Sequence, residues 1–334
     1  MKKTVYAVLA VFIMAAAGSC APPEVSREIF AMDTLVSVKA YGNGSAEAVN
    51  AAADRMTELE RLFSVTDADS DIAKLNVTGT AEVSADTAHV ISEALKWCSE
   101  TDGALDITIY PVLREWGFTT GETHVPTDAE ITDTLTRTGY ENITVSGSTV
   151  TLPEGYMLDL GSCAKGHAGS EMLKAMSECG VTSALVNLGG NVQTLGTKPD
   201  GTDWTVGVVD PFAPDILLGT IEVHDKAVVT SGGYQRFFTD DDGNVYIHIL
   251  DPKTGRPAKS GLASVTVIGS DGLMCDALST ALFVMGKDRA VSFRESHRGF
   301  GMILVTDDRR IYITEDIAET FRNRSGLPAE IIYE

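Results

Sequence analysis

The chain has 334 residues, enough for one large domain or two smaller ones. Hydrophobic residues make up 44% and charged residues 22%, a balance that fits a globular protein with a sizeable core rather than a disordered chain. The 26 Lys and Arg are outnumbered by 47 Asp and Glu, for a net charge of −21. Such a surface repels phosphate backbones and speaks against nucleic-acid binding. The same acidity opposes a small anionic ligand, so a diphosphate would need a metal ion or a local cationic site.

Met1-Lys2-Lys3 is a short cationic start. The apolar run from Val5 to Ala17 falls short of the roughly 20 residues that span a bilayer. Ala17-Gly18-Ser19-Cys20 then completes a secretory signal peptide over residues 1–19. The cysteine after Gly18-Ser19 makes Cys20 the expected lipidated first residue of the mature chain. Ala17 stands where such signals usually have Leu, so an ordinary cleaved signal and an uncleaved anchor are the competing readings. Residues 20–26 are expected to be a polar tether, and 27–334 one domain. Cys98, Cys163, Cys179 and Cys275 have neither CxxC nor metal-ligand spacing, which leaves buried thiols or one disulfide.

Residues 34–41 alternate, with Val36, Val38 and Ala40 on one face, as a strand does. Residues 46–63 place Val49, Ala53, Met56, Leu59 and Phe63 at helical spacing. Further helices are predicted over 87–100, over 167–179 with a stop at Gly180, and over 275–285. Strand-like runs fall at 184–188, 205–209, 228–230, 246–250, 264–268 and 302–306. Asp307-Asp308 reads as a hairpin turn before 311–314. Strands and helices mix without regular βαβ alternation, which favours an α+β class over a doubly wound parallel sheet. No GxGxxG follows the first strand, so the usual dinucleotide fingerprint is missing.

Asp276 and Thr280 lie four apart at the start of an apolar helical run. That spacing puts a carboxylate and a hydroxyl on one face, an oxygen set suited to Mg²⁺. The competing reading makes Asp276 a helix N-cap. In the segment from Leu158 to His167, Asp159 ends a strand, small residues turn, and Lys165 opens a helix. This arrangement suits an anion, or is simply a connection. Gly189-Gly190 and Gly232-Gly233 end two strands, either to let a ligand approach the backbone or to make turns. Alternation through 246–250 places Tyr246, His248 and Leu250 on one face. There His248 is either an acid–base group or a hydrogen-bonded strand residue. Trp116-Gly117-Phe118 lines a pocket or packs in the core.

Taken in order, these segments resemble the FAD:protein FMN transferase family, also called the ApbE family. The resemblance is carried by Met32-Asp33-Thr34, Phe63-Ser64 through Asn76, Gly103-Ala104-Leu105-Asp106, Trp116-Gly117-Phe118, and Asp159-Leu160-Gly161 with Ala164-Lys165-Gly166. It continues through Asn187-Leu188-Gly189-Gly190, Thr230-Ser231-Gly232 with Tyr234, His248 through Asp251-Pro252 to Gly255, and Asp276-Ala277-Leu278 with Thr280. It spans 32 to beyond 285.

The resemblance implies mixed, largely antiparallel sheets with flanking helices and a ligand cleft between subdomains, a T-fold-like arrangement in which 27–334 is the catalytic domain. It implies Mg²⁺-dependent transfer of FMN from FAD to a Thr or Ser hydroxyl through a phosphoester, releasing AMP. The metal ligands implied are Asp276, Thr280, a backbone oxygen of Ser162, and Ser279. Met32, Thr66, Ala104, Leu105, Asp106, Asp159, Lys165 and Leu250 correspond to flavin-nucleotide contacts. His248 corresponds to the catalytic histidine, with Asp159 as the alternative base. The partners implied are FAD and exported or membrane-facing FMN-acceptor proteins, with membrane attachment through lipid at Cys20. Cys163, His167, Gly233 and Thr66 depart from the common pattern and bear on affinity rather than on reaction class. Two other readings stay open: an FAD pyrophosphatase that uses water, and an FAD-binding lipoprotein without turnover.

Overall fold

The computed structural model describes residues 22–333. The signal peptide and Cys20 lie outside the described residues. The first strand, Glu24–Ala31, begins inside the predicted tether. Glu24, Val25 and Ser26 pair with Tyr41, Ala40 and Lys39, so these three residues belong to the sheet.

One nine-stranded sheet organises the chain. Its order is Glu24–Ala31, Thr34–Tyr41, Ala184–Leu188, Asn191–Leu195, Ala227–Gly232, Leu262–Gly269, Gly301–Thr306, Ile311–Thr314 and Ala329–Ile332. Every neighbouring pair is antiparallel except the last, which is parallel. The fold is mixed α+β with antiparallel sheets and helices.

The helices are α1 (Ser45–Phe63), α2 (Asp71–Thr78), α3 (Ala85–Glu100), α4 (Tyr110–Glu115), α5 (Asp128–Leu135), α6 (Ala164–Glu178), α7 (Gly272–Met285), α8 (Lys287–Ser296) and α9 (Glu315–Ala318). The strands alternate between two apolar layers. Val229, Val265, Val267, Met302 and Leu304 pack with Leu278 and Leu282 of α7. Their neighbours Val228, Ile268, Ile303 and Val305 pack with Trp204, Val206 and Ile221 of a three-stranded sheet on the opposite side. Both faces are therefore covered, and the central strands read as continuous apolar runs rather than as alternating ones.

Helix α6 begins at Ala164, three residues earlier than its periodicity suggests. Helix α7 begins at Gly272 and is capped by Asp271, whose carboxylate accepts from Met274 N. Asp276 is thus not the N-cap; it lies more than one turn inside the helix. The predicted strand over 246–250 is interrupted. Val245–Ile247 ends before His248, and Leu250–Asp251 pairs separately with Arg256–Pro257.

Helices α6 and α7 cross where only glycine fits. A Cβ on Gly166 would lie 2.1 Å from Gly272 O and 2.7 Å from Asp276 Cβ. A Cβ on Gly272 would lie 2.4 Å from Gly166 O. These contacts are backbone against backbone, so relief requires moving a helix. Gly166→Ala is expected to lower stability by about 1–3 kcal/mol, the usual cost of overpacking. A urea-denaturation midpoint equal to that of the unaltered protein would contradict this.

Candidate active-site cleft

A cleft of about 800 Å³ opens beside the α6–α7 crossing. Met32, Thr66, Ala104, Leu105, Asp106, Asp159, Ser162, Lys165, His248, Leu250, Asp276 and Thr280 all line it. The sheet brings these distant segments together. Ser279 does not line the cleft. It is fully buried, and its hydroxyl donates to Asp276 O at 2.8 Å and meets Ser231 Oγ at 2.8 Å. Its place is in the support of the α7 turn, not among the ligands. The helical period explains this: one residue from Thr280 is about 100° around the helix.

Asp276 sits at the N-terminus of α6. Its Oδ2 accepts from Gly166 N at 2.8 Å. In a regular helix that N–H would point at the carbonyl of Ser162, four residues earlier. Cys163, at the N-cap, offers no side-chain bond, so the carboxylate from α7 does the capping. Burial nevertheless pushes the Asp276 pKa up. The positive charge of Lys165, the backbone N–H groups of Gly166 and Lys165, and the Asn191 amide pull it back only partly. A buried carboxylate raised in this way, with Thr280 Oγ1 and Ser162 at the same wall, is an all-oxygen donor set that lacks a cation. Those residues fit a hard divalent ion such as Mg²⁺, which is commonly held by one or two carboxylates plus substrate oxygens. Among the described residues, Glu115, His124 and Glu130 form a separate, largely exposed His–carboxylate group. It is not part of the cleft lining.

Asp159 is half-buried, and its Oδ1 accepts from Gly161 N at 2.8 Å. Burial raises its pKa against the opposing pull of Gly161 N–H, Lys165 and Arg236. The Asp106 carboxylate is already engaged. Oδ1 accepts from Thr108 N at 2.8 Å and from Thr108 Oγ1 at 2.6 Å, and Oδ2 accepts from Tyr140 N. It holds the 104–110 loop in shape, and burial keeps its pKa high.

Met32 and Asp33 form a two-residue hairpin turn with φ of 47° and 58°, the conformation that usually selects Asn-Gly. Met32 N donates to Glu60 Oε1 at 2.7 Å, so α1 holds the strained turn at the cleft edge. Gly189-Gly190 makes a second such turn, with φ of 62° and 98°. A Cβ on Gly189 would lie 2.1 Å from Thr34 Oγ1. That glycine is therefore needed both for the turn and for the packing of the two turns.

His248 stands at the bend between two short strands. Its backbone N–H donates to Arg236 O at 3.1 Å, and its Nδ1 lies 3.0 Å from the same oxygen. A carbonyl only accepts, so Nδ1 carries the proton and Nε2 is left with a free lone pair. Burial, with the charges of Arg236 and Lys165, pushes its pKa down to about 4 despite the Arg236 carbonyl. Phe118 meets the imidazole edge-on at 6.5 Å between ring centres. Trp116 is separate from this contact: it is buried and donates from Nε1 to Gly255 O at 2.8 Å. The Trp-Gly-Phe segment thus divides, with Trp116 in the core and Phe118 at the cleft.

Sequence reasoning missed Arg236 and Glu60. Arg236 follows the Thr230–Tyr234 segment by two residues and supplies both the carbonyl that orients His248 and a cation at the cleft wall. Its guanidinium lies 3.7 Å from exposed Asp33, a surface pair of little energetic weight. Glu60 had a readable signal: it shares the apolar face of α1 with Met56 and Phe63.

The family model for the ApbE family matches residues 32–304. This chain belongs to the ApbE family. An FAD:protein FMN transferase from Vibrio cholerae is 34% identical over 268 residues, covering 75% of this chain and 80% of that protein. One from Treponema pallidum is 30% identical over 343 residues, covering 93% and 94%. The solved ApbE protein of Thermotoga maritima matches with a TM-score of 0.84 at 34% identity, over 90% of this chain and 100% of that one. The apo flavinyl transferase ApbE of Pseudomonas stutzeri matches with a TM-score of 0.80 at 27% identity, over 90% and 98%.

The depressed His248 pKa has a stability consequence. Unfolding restores a value near 6.5, so the unfolded chain binds the extra proton first. The stabilisation is fully present above about pH 6.5 and is lost as pH falls through about 4. His248→Gln should therefore lose less stability than the unaltered protein between pH 6.5 and 4. Parallel denaturation curves in that window would refute the buried neutral imidazole.

Proposed function

We propose that this chain is an FAD:protein FMN transferase that joins FMN through a phosphoester to a Thr or Ser hydroxyl of an acceptor protein and releases AMP. The reading is carried by one observation: Asp276, Thr280, Lys165, Asp159 and His248, from separate parts of the chain, line a single cleft. Membership of the ApbE family and the transferase names of its relatives support it.

The chemistry follows from the charges. A diphosphate entering this acidic protein meets Lys165 and Arg236 at the cleft wall. Asp276, Thr280 and the Ser162 carbonyl would hold Mg²⁺, which when bound screens the diphosphate and stabilises charge on the leaving phosphate. The acceptor hydroxyl attacks the FMN-side phosphorus. A new oxygen–phosphorus bond forms, the bridging bond to the AMP phosphorus breaks, and AMP departs with that electron pair. His248 Nε2 takes the hydroxyl proton, its Nδ1–H being fixed on Arg236 O. The low pKa keeps Nε2 unprotonated at neutral pH but makes it a weak base, so orienting the hydroxyl is part of its role. Water in place of the acceptor hydroxyl would give free FMN and AMP by the same attack. Lipid anchoring through Cys20 belongs to the same proposal and would hold the enzyme beside membrane-facing acceptors.

Two changes test the assignment together. Asp276→Ala should abolish Mg²⁺-dependent AMP release from FAD. His248→Ala should slow transfer by about 10²–10⁴-fold while FAD still binds by calorimetry. Normal AMP release by Asp276→Ala would remove the metal assignment. Normal transfer by His248→Ala would move the base to Asp159.

Mass spectrometry of the membrane fraction should find Cys20 as the acylated N-terminus. An unmodified terminus at Ala21 or later would end the lipoprotein reading.

A further inference from the structure

A second cavity, of about 550 Å³, shares its wall with the cleft. Within residues 231–236, Ser231, Gln235 and Arg236 line the cleft, whereas Gly233 and Tyr234 line the second cavity. Further along the chain, His248 lines the first and its neighbour Ile247 the second. No residue lines both. The second cavity is therefore one layer of backbone away from the imidazole.

Its floor is apolar, formed by Tyr234, Ile247, Leu262 and Phe283. Its rim carries Lys259 and Asp307. Lys259 is exposed and makes no ion pair among the described residues, although most Lys and Arg side chains near it on the chain do. Ser260, also at the cavity, has its Oγ shielded from solvent and without a hydrogen-bond partner among the described residues. A volume in the range of ligand pockets, an apolar floor, a free cation and an unused hydroxyl describe a site built for an amphipathic ligand.

The adjoining hairpin extends this surface. Phe237–Thr239 pairs with Val245–Ile247, with Phe237 opposite Ile247, Phe238 opposite Tyr246 and Thr239 opposite Val245. Phe238 and Tyr246 stack on one another at 5.2 Å and pack toward Trp116. Alternation places Phe237, Val245 and Ile247 together on the other face. Phe237 is 53% exposed and Val245 58% exposed. The strip Val245–Phe237–Ile247 thus runs from solvent into the cavity.

We propose that this cavity and strip form the docking groove for the acceptor polypeptide, which seats the residues flanking its target hydroxyl. The inference rests on the transferase reading. A hydroxyl on a polypeptide must reach His248 while FAD fills the cleft, so its neighbours need a surface that touches the His248 wall and is not the cleft. This cavity meets that requirement. An apolar acceptor side chain enters over Ile247 and Phe283. Lys259 faces an acceptor carboxylate, a complement that matters because the enzyme is otherwise strongly acidic.

Lys259→Glu and Val245→Glu both alter exposed positions outside the cleft and should fold. Two assays are read in parallel: AMP release from FAD and Mg²⁺ without acceptor, and in-gel flavin fluorescence with the purified, unflavinylated form of an exported FMN-binding domain that the unaltered enzyme labels. The expected result is a rise of about tenfold or more in KM for the acceptor domain, because like charge now faces the groove. AMP release and the kcat for transfer should stay unchanged. An unchanged acceptor KM in both variants overturns the proposal. Equal losses in both assays also overturn it, since the cavity would then only support the cleft. A dimer in the unaltered protein that Val245→Glu dissociates in sedimentation would assign the surface to a second copy and overturn it as well. If the unaltered protein releases no AMP, the transferase reading itself fails, and the docking inference falls with it.

Discussion

The carboxylate of Asp276 on the N-terminus of α6 is the contact on which the site depends. It requires α6 and α7 to pass at a distance that only Gly166 and Gly272 allow. It is reinforced by Gln193, whose Nε2 donates to Gly166 O at 2.8 Å and ties the crossing to the sheet. The arrangement solves two problems at once. The helix end has no cap from its own N-cap side chain, and the buried carboxylate needs donors. The compensation is incomplete, since burial still raises the Asp276 pKa. An isolated carboxylate of this kind is costly to keep in a protein unless a cation joins it.

Charge has the same logic at the scale of the whole cleft. A chain of net charge −21 presents Lys165 and Arg236 to whatever enters. Neither forms a tight buried ion pair: Lys165 Nζ lies 3.3 Å from Gly161 O, and Arg236 meets only exposed Asp33 at 3.7 Å. Their charge remains available to a phosphate. Arg236 links electrostatics to acid–base chemistry. Its guanidinium disfavours a second positive charge on His248, while its carbonyl fixes the Nδ1 proton of the same ring.

Much of this was legible residue by residue. The periodicity of α1 and α3, the strand Ala184–Leu188 and the hairpin at Asp307-Asp308 came through because each buries one face against the sheet. The short elements were not read: α2, α4, α5 and α8 have six to ten residues, too few turns for an apolar stripe to stand out. The strand predicted over 246–250 failed for a different reason. Alternation continues in the sequence, but His248 turns out of the strand to bond twice to Arg236 O. Ser279 was misassigned because adjacency to Thr280 says nothing about direction on a helix.

Taken alone, the sequence determined the class of the molecule: an acidic α+β protein, its family resemblance, and nearly all the side chains that line the cleft. Those depend on local spacing and on motifs of a few residues, which survive in one dimension. Tertiary structure alone decided which polar groups are already engaged. Asp106 bonds to Thr108 and Tyr140, Ser279 to Ser231, and Asp276 to an amide 110 positions away in the chain. It also decided that Arg236 belongs to the site and that a second cavity lies behind His248. Burial, and hence pKa and hydrogen-bond supply, depends on what the rest of the chain packs against each group, and no local spacing encodes that.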